Sequence, residues 1–329
     1  MNKEIFDLIY RELSPLDIIP LAQEASSRNY FRLKYSDKTQ ILCIDQNFKE
    51  EPYPFIEVAK FLETNGFRIP KIYTKDITHN ILVLEDISDK DLSFIQDENQ
   101  YVQEIKTSIQ NILTLQELKP IDIISNRSFN LEKFKFEFNF TVDAFQLFKK
   151  EYDLKIDLKH ELYAFLEELI QFLASYEPKV ICHRDFHSRN ILLSKEQEQV
   201  WIDFQDMMMG TPFYDLSSIL YDAYKPISLL NREELYRYFI DSSPLKIKRS
   251  REVYLAQCLQ RSFKALGTYL FQFHVKKNFR FKDSIIKCLI NLEEINQIGM
   301  FTDQSYVFFH LFRKELEINE KYNLSPNSP

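Results

Sequence analysis

The segment His183-Arg184-Asp185-Phe186-His187-Ser188-Arg189-Asn190 puts an acid, an amide and several basic groups close together. Shortly after it, the apolar run Val200-Trp201-Ile202 ends in Asp203-Phe204. An H-R-D-x-x-x-x-N segment followed by an apolar strand ending in Asp-Phe has the layout of a phosphoryl-transfer site. In that chemistry Asp185 is the general base: it orients an acceptor hydroxyl and takes its proton. Asn190 can carry an amide oxygen to a metal across the turn. Asp203, at a strand end, can turn its carboxylate to the same metal. Magnesium accepts such a set, because it takes a few carboxylate or amide oxygens and completes its shell with phosphate oxygens and water.

The neighbouring residues support this core. His183 is read as packing under the turn, with direct chemistry as the alternative. His187 either touches the acceptor or caps the turn. Arg184 and Arg189 either contact acceptor or phosphate or remain solvated. Asp206 either shapes the turn into Met207-Met208-Met209-Gly210 or supports the metal shell. Asp215, within Pro212-Phe213-Tyr214-Asp215, caps a helix and braces the catalytic turn.

The elements that must position these groups follow from periodicity. Residues 2–13 read as a helix, and alternation predicts strands at 18–23, 29–35, 40–45, 71–74 and 80–85. A helix over 53–65 carries Phe55, Val58, Phe61 and Leu62 on one face and stops at Asn65-Gly66. After about Asp86 the pattern becomes helical, at 98–117, 131–150 and 158–176. Short strands around 180–182, 191–193 and 200–202 bracket the motif, and helices resume from Tyr214, including 252–273. The expected organisation is an α+β fold with an N-terminal lobe over 1–86 and a helical lobe over 87–317. The polar end, 318–329, is expected to be disordered.

Composition removes other classes. Only four glycines occur, so there is no G-x-x-x-x-G-K-[ST] loop, no G-x-G-x-x-G and no G-x-S-x-G elbow. Any nucleotide must be covered by another kind of turn. Cys43, Cys182, Cys258 and Cys288 lie far apart, which argues against zinc and a disulfide framework and suits a reducing cytoplasm. The net charge of −7, without a basic block, argues against a nucleic-acid partner. Neither a signal peptide nor a run of about 18 apolar residues is expected here, so no membrane partner is expected.

These segments resemble the aminoglycoside phosphotransferase/choline-kinase superfamily over roughly residues 20–275. A narrower group is similar as well: bacterial cell-wall amino-sugar kinases acting on the anomeric hydroxyl of N-acetylmuramate and N-acetylglucosamine. The motif from His183 to Asn190 and the segment Ile202-Asp203-Phe204-Gln205-Asp206 carry the first resemblance. The narrower one rests on Ala25-Ser26-Ser27-Arg28-Asn29-Tyr30-Phe31-Arg32-Leu33 and on Gln260-Arg261-Ser262-Phe263-Lys264-Ala265-Leu266-Gly267. The resemblance implies a protein-kinase-like two-lobed fold, with a small antiparallel N-lobe and a larger helical C-lobe. It implies ATP and Mg2+ as cofactors and a small-molecule sugar as acceptor. Asp185 would be the base, and Asn190 and Asp203 the metal ligands. Ser26, Ser27, Arg28 and Asn29 would lie over the phosphates, Glu85 and Ile87 in the adenine hinge, and Gln260, Arg261 and Lys264 near the acceptor.

One departure stands out. Many relatives carry a lysine on the third strand, paired with a helix glutamate. Here that strand reads Gln40-Ile41-Leu42-Cys43-Ile44-Asp45, and the glutamate position falls near Phe55, with Glu57 close by. Arg28, Arg32 or Lys34 could supply the charge instead. The other readings are an aminoglycoside or choline-like acceptor, met by acids such as Glu132, Glu137 and Asp143, and a nucleotide-binding pseudokinase.

Overall fold

The computed structural model describes residues 3–21, 28–46, 48, 52–299 and 301–324. In chain order the elements are α1 (Lys3–Leu13), β1 (Asp17–Pro20), β2 (Asn29–Lys34), β3 (Thr39–Ile44), α2 (Pro54–Thr64), β4 (Ile72–Asp76) and β5 (Ile81–Glu85). Then come α3 (Glu98–Glu117), α4 (Asp122–Ser125), α5 (Leu131–Glu151), α6 (His160–Ser175), β6 (Val180–Cys182), β7 (Ile191–Leu193), β8 (Gln199–Trp201) and β9 (Met208–Gly210). The chain ends with α7 (Tyr214–Leu220), α8 (Leu229–Ser242), α9 (Ser250–His274), α10 (Lys282–Gly299), α11 (Asp303–Ile318) and α12 (Glu320–Asn323). Two compact units result. One comprises Met1–Asp91 with Ile191–Gln205, the other Leu92–Asn190 with Asp206–Pro329.

The first unit is built on an antiparallel sheet of order β1-β2-β3-β5-β4. Alternation sorts its side chains: Leu33, Leu42, Ile44, Ile81 and Val83 share a face and pack with Ile9 of α1. Tyr30 and Arg32 alternate with Leu33 and so leave from the opposite face. There Tyr30 stands opposite Cys43, and Arg32 opposite Ile41. Helix α2 opens with Pro54 at its first turn and buries Phe55, Val58, Ala59, Phe61 and Leu62. It closes at Gly66, whose φ of +80° is a left-handed conformation that favours glycine. The hairpin β7–β8 belongs to this unit, not to the helical half as expected from its place in the sequence. Leu193 N–H donates to the Lys90 carbonyl, Trp201 N–H donates to the Arg68 carbonyl, and the buried Trp201 ring lies against Phe67.

The second unit is mainly helical and centred on α9, which is buried along most of its length. Helices α5, α7 and α10 pack on it. At Gly267 a Cβ would stand 2.7 Å from the Thr141 Cα, so glycine is what lets α5 approach. The pair β6–β9 was not expected in full. The methionine triplet after the Asp206 turn reads as adaptable packing, yet Met208-Met209-Gly210 forms an antiparallel strand against Val180-Ile181-Cys182. The chain end also departs from expectation. Residues 320–323 form a helical turn whose Tyr322 is buried and donates its hydroxyl to the Lys282 carbonyl. Residues 325–329 lie outside the described residues. No described helix is long and apolar enough to cross a membrane.

Candidate active site

In the second unit, the loop after β6 is held by two buried carboxylates. Asp215, at the start of α7, accepts the backbone N–H of His183 at 2.6 Å and of Arg184 at 2.9 Å. Burial pushes its carboxyl up to about 7, against those two hydrogen bonds and the charge of Arg261. Asp222 accepts the Ser188 N–H at 2.8 Å and the Ser188 hydroxyl at 2.5 Å. Between these anchors the backbone is tight. Arg184 has φ +83°, a costly conformation for a branched-charge side chain, and its guanidinium lies 3.3 Å from Asp206.

Asp185 is therefore fixed from both sides. Its Oδ1 lies 3.4 Å from Lys264 Nζ and 3.5 Å from Arg261 Nη2, both on α9. Burial alone would raise the Asp185 carboxyl. The charges of Lys264, Arg261, Arg184 and His187 more than offset this and hold it well below the usual carboxylate range. Lys264 shifts the other way: burial lowers it, and the pull of Asp185 only partly compensates. A quarter of the Asp185 side-chain surface stays open, so the carboxylate can still meet a ligand. Asn190 donates its Nδ2 to the Asp185 carbonyl at 2.8 Å, which turns its amide oxygen the other way. That orientation suits a hard cation, which needs the oxygen rather than the nitrogen.

In the first unit, Asp203 follows β8 with φ +61° and remains 43% exposed at its side chain. Gln205 Nε2 donates to its Oδ1 at 2.9 Å. Arg28 Nη1 lies 3.8 Å from the same oxygen, and Arg28 Nε donates to the buried Asp45 at 2.7 Å. Asp45 also accepts the Tyr53 hydroxyl, and the Arg28 guanidinium sits over the Phe55 ring at 5.7 Å. A cation thus reaches Asp203 from the start of β2, and the acid that pairs with it comes from the end of β3. Arg32 is committed elsewhere: it forks onto Asp86 at 2.6 and 3.0 Å and onto Asp89 at 2.6 and 3.1 Å. Lys34 is exposed on β2. Glu85 is engaged too, its carboxylate by Arg68 at 2.6 and 2.8 Å and its N–H by the Lys71 carbonyl. Ile87 is buried.

A family model, that of the phosphotransferase enzyme family (APH), matches residues 17–244. The chain belongs to that family. Relatives of this chain include two proteins named N-acetylmuramate/N-acetylglucosamine kinase. The one from Pseudomonas aeruginosa is 25% identical over 65% of this chain, and the one from Neisseria meningitidis 25% over 63%. In both cases the chain spans about 62% of the relative's length. Among solved structures, a choline kinase from Streptococcus pneumoniae matches with a TM-score of 0.63 and 14% identity, covering 89% of this chain and 98% of that one. An ADP-bound aminoglycoside phosphotransferase matches with a TM-score of 0.58 and 13% identity, covering 93% and 99%. At such identities the likeness shows the fold: an antiparallel β lobe and a mainly helical lobe.

The sequence-predicted residues fall into groups. Asp185, Arg261 and Lys264 meet; Asp215 holds the loop at the His183 and Arg184 N–H groups rather than capping α7, whose N-cap is Phe213, and the buried His183 ring lies against Phe186. His187 approaches Asn190 Nδ2 at 3.4 Å, with its ring centroid 5.2 Å from that of Tyr224. Arg189 stacks its guanidinium on the Tyr224 ring at 3.9 Å. Gln260 is buried and donates to Glu137 Oε2 at 3.3 Å. Arg28 meets Asp203, and the backbone of Asn29 starts β2, opposite Ile44. Ser26 and Ser27 lie outside the described residues. Sequence reasoning missed Asp45, Tyr53 and Asp222. None belongs to a motif; Asp222 lies just beyond the C-terminal end of α7.

Proposed function

We propose that the protein is an ATP- and magnesium-dependent kinase for a small sugar hydroxyl. Its acceptor is the anomeric hydroxyl of N-acetylmuramate or N-acetylglucosamine, in the recycling of cell-wall sugars. The observation that carries this reading is the pair Lys264 and Arg261, 3.4 and 3.5 Å from Asp185. A base flanked by two cations favours a neutral or anionic acceptor and repels a cationic one. The names of the relatives support the same acceptors. The acids that a cationic acceptor would need are not gathered: Glu132 and Asp143 are exposed, and only Glu137 is buried.

In this reading the acceptor oxygen attacks the γ-phosphorus, the bond to the β-phosphate oxygen breaks, and the hydroxyl proton passes to Asp185. A carboxylate held so far below its ordinary range is a weak base. Its main work is therefore to orient the hydroxyl, and the proton leaves late, as a loose transition state allows. Lys264 and Arg261 offset the charge that gathers there. Asn190 and Asp203 would be the residues to hold magnesium through their oxygens, and the ion would neutralise phosphate charge. Arg28 takes the part of the missing third-strand lysine, with Asp45 as its partner.

The test is to incubate the purified protein with labelled ATP, magnesium and a panel of N-acetylmuramate, N-acetylglucosamine, an aminoglycoside and choline. Transfer to the acetylated sugars is expected. Transfer to none of them sinks the acceptor assignment. Asp185→Asn should lower kcat by about 10²–10⁴-fold, and unchanged turnover would remove the assigned base.

A further inference from the structure

Helix α5 carries an acid on its buried stripe. Glu137 is 4% exposed and shares that stripe with Phe134, Phe138 and Thr141. One carboxylate oxygen, Oε2, accepts Gln260 Nε2 at 3.3 Å, and Gln260 is held in turn by Gln257 Nε2, which donates to its Oε1 at 2.8 Å. The other oxygen of Glu137, Oε1, has no hydrogen-bond partner among the described residues, and the Lys133 ammonium stands 3.8 Å from it. A carboxylate is held out of water only beside opposite charge and hydrogen-bond donors. Further charge lies across a cavity of about 10 Å³ that Glu137, Gln260 and Lys264 line together, closed by Phe138, Leu166 and Ile170. The space admits one water molecule and nothing larger. A water there can donate to Oε1 and accept from the Lys264 ammonium, which lies 3.4 Å from Asp185.

The groups around Lys264 come from several elements. The catalytic loop brings Arg184, Asp185 and His187, α9 brings Arg261, and α7 brings Tyr214 and Asp215. On the α6 side the cavity wall is apolar, with Leu166 and Ile170. Helix α10 meets α9 elsewhere, where Cys288 Sγ donates to the Ser262 carbonyl at 3.2 Å. Arg184, Arg261 and Lys264 thus surround Asp185. Arginine keeps its proton in proteins, so of these three Lys264 is the one that can lose its charge. Burial favours that loss; Asp185 opposes it, Arg261 favours it, Glu137 opposes it and Arg184 favours it. We propose that Glu137 is a positioning residue: across the cavity it supplies the second counter-charge that holds the Lys264 ammonium against Asp185. Glu137 meets no substrate and acts only through Lys264. For turnover this rests on the kinase reading above, in which Asp185 orients the hydroxyl beside that cation. The charge state of Lys264 itself can be read without turnover.

The test is a pH titration of Lys264 by NMR of isotope-labelled lysine, its signal assigned by its loss in Lys264→Arg. Wild type is compared with Glu137→Gln, which keeps the shape and can still accept from Gln260. Glu137→Met, whose apolar chain suits the cavity wall, serves as a second neutral variant should Glu137→Gln fail to fold. The Lys264 midpoint should fall by about one pH unit in either, the effect of removing a near opposite charge. With ATP, magnesium and N-acetylglucosamine, kcat should follow. Activity that needs the Lys264 cation is present below its midpoint and lost above it, so the alkaline limb of the profile should move down with the midpoint. Glu137→Asp, which keeps the charge, should restore most of the wild-type limb. An unmoved Lys264 midpoint overturns the proposal even if activity falls, because a purely structural role lowers turnover at every pH alike. A midpoint that moves while the alkaline limb stays in place also overturns it, since Glu137 would then have no part in turnover. A wild-type protein that phosphorylates no sugar removes the kinase reading, and the titration alone then decides whether Glu137 holds the charge of Lys264.

Discussion

At the scale of single residues, the proposed substitute for a lysine–glutamate pair is the ion pair of Arg28 with Asp45. On β3 the face shared with Tyr30 and Arg32 carries Ile41 and Cys43, neither of them a cation. Arg28 enters from the start of β2 and is held by Asp45, which is itself held by Tyr53. The Phe55 ring of α2 carries the Arg28 guanidinium. If Arg28 has taken over the phosphate-binding charge, Arg28→Ala should raise the KM for ATP by about 10–100-fold, the worth of a charge-assisted hydrogen bond. Its effect on the KM for the sugar should be small. Steady-state kinetics with each substrate varied would separate the two, and an unchanged KM for ATP would leave the protein without a replacement for the lysine. Arg28 was readable from the sequence only as one of three cations. The choice among them depended on Asp45 and on the hydrogen bonds of Arg32 to Asp86 and Asp89, which connect residues 54 and 57 positions apart.

At the scale of elements, the contact between α5 and α9 is central to the second unit. Gly267 lets the Thr141 backbone approach, and the Thr141 hydroxyl lies 3.4 Å from the Phe263 carbonyl. One turn before Thr141 comes Glu137, and about two turns before Gly267 comes Gln260, so the same close packing brings those two together. Gly267→Ala would put a methyl 2.4 Å from Thr141 Oγ1 and 2.7 Å from its Cα. Backbone cannot yield as a side-chain tip can. The expected loss is about 1–3 kcal/mol of stability from overpacking, measured by urea denaturation, with a raised KM for the acceptor. A variant as stable as wild type would show that α5 can move away at no cost. Most elements were legible, because period-2 and period-3.6 patterns report burial directly. Two were not. Strand β9 hides in a methionine triplet, a composition without alternation. Glu137 sits on the stripe Phe134, Phe138, Thr141 and Phe145 of α5, and an acid on an apolar stripe was the available signal that it points inward.

At the scale of the whole molecule, the contiguous catalytic motif was legible because its residues are neighbours in the chain. The groups that set its charge balance come from α5, α7 and α9 and meet only in the folded state. Their effect reaches global stability through proton linkage. Asp215 has a folded pKa raised to about 7, against an ordinary value of 3.8, so the native state binds its proton more tightly than the unfolded chain. Its contribution to stability is then full below pH 3.8 and is lost as pH rises from there to about 7. Asp185 has the opposite sign. Its folded pKa is depressed, so its contribution is present above the unfolded value and lost only as pH falls well below it. Between pH 5 and pH 7 the Asp215 effect therefore acts alone of the two. Asp215→Asn cannot ionise, and it should remove that part of the slope. The free energy of unfolding, measured in urea at pH 5 and pH 7.5, should fall by less in Asp215→Asn than in wild type. The variant is expected to be the less stable protein at pH 5, where an amide cannot reproduce both hydrogen bonds to His183 and Arg184, and to close part of that gap at pH 7.5. Equal slopes in the two proteins would mean that Asp215 is ionised in the native state across the whole window, with its two backbone donors and Arg261 outweighing burial.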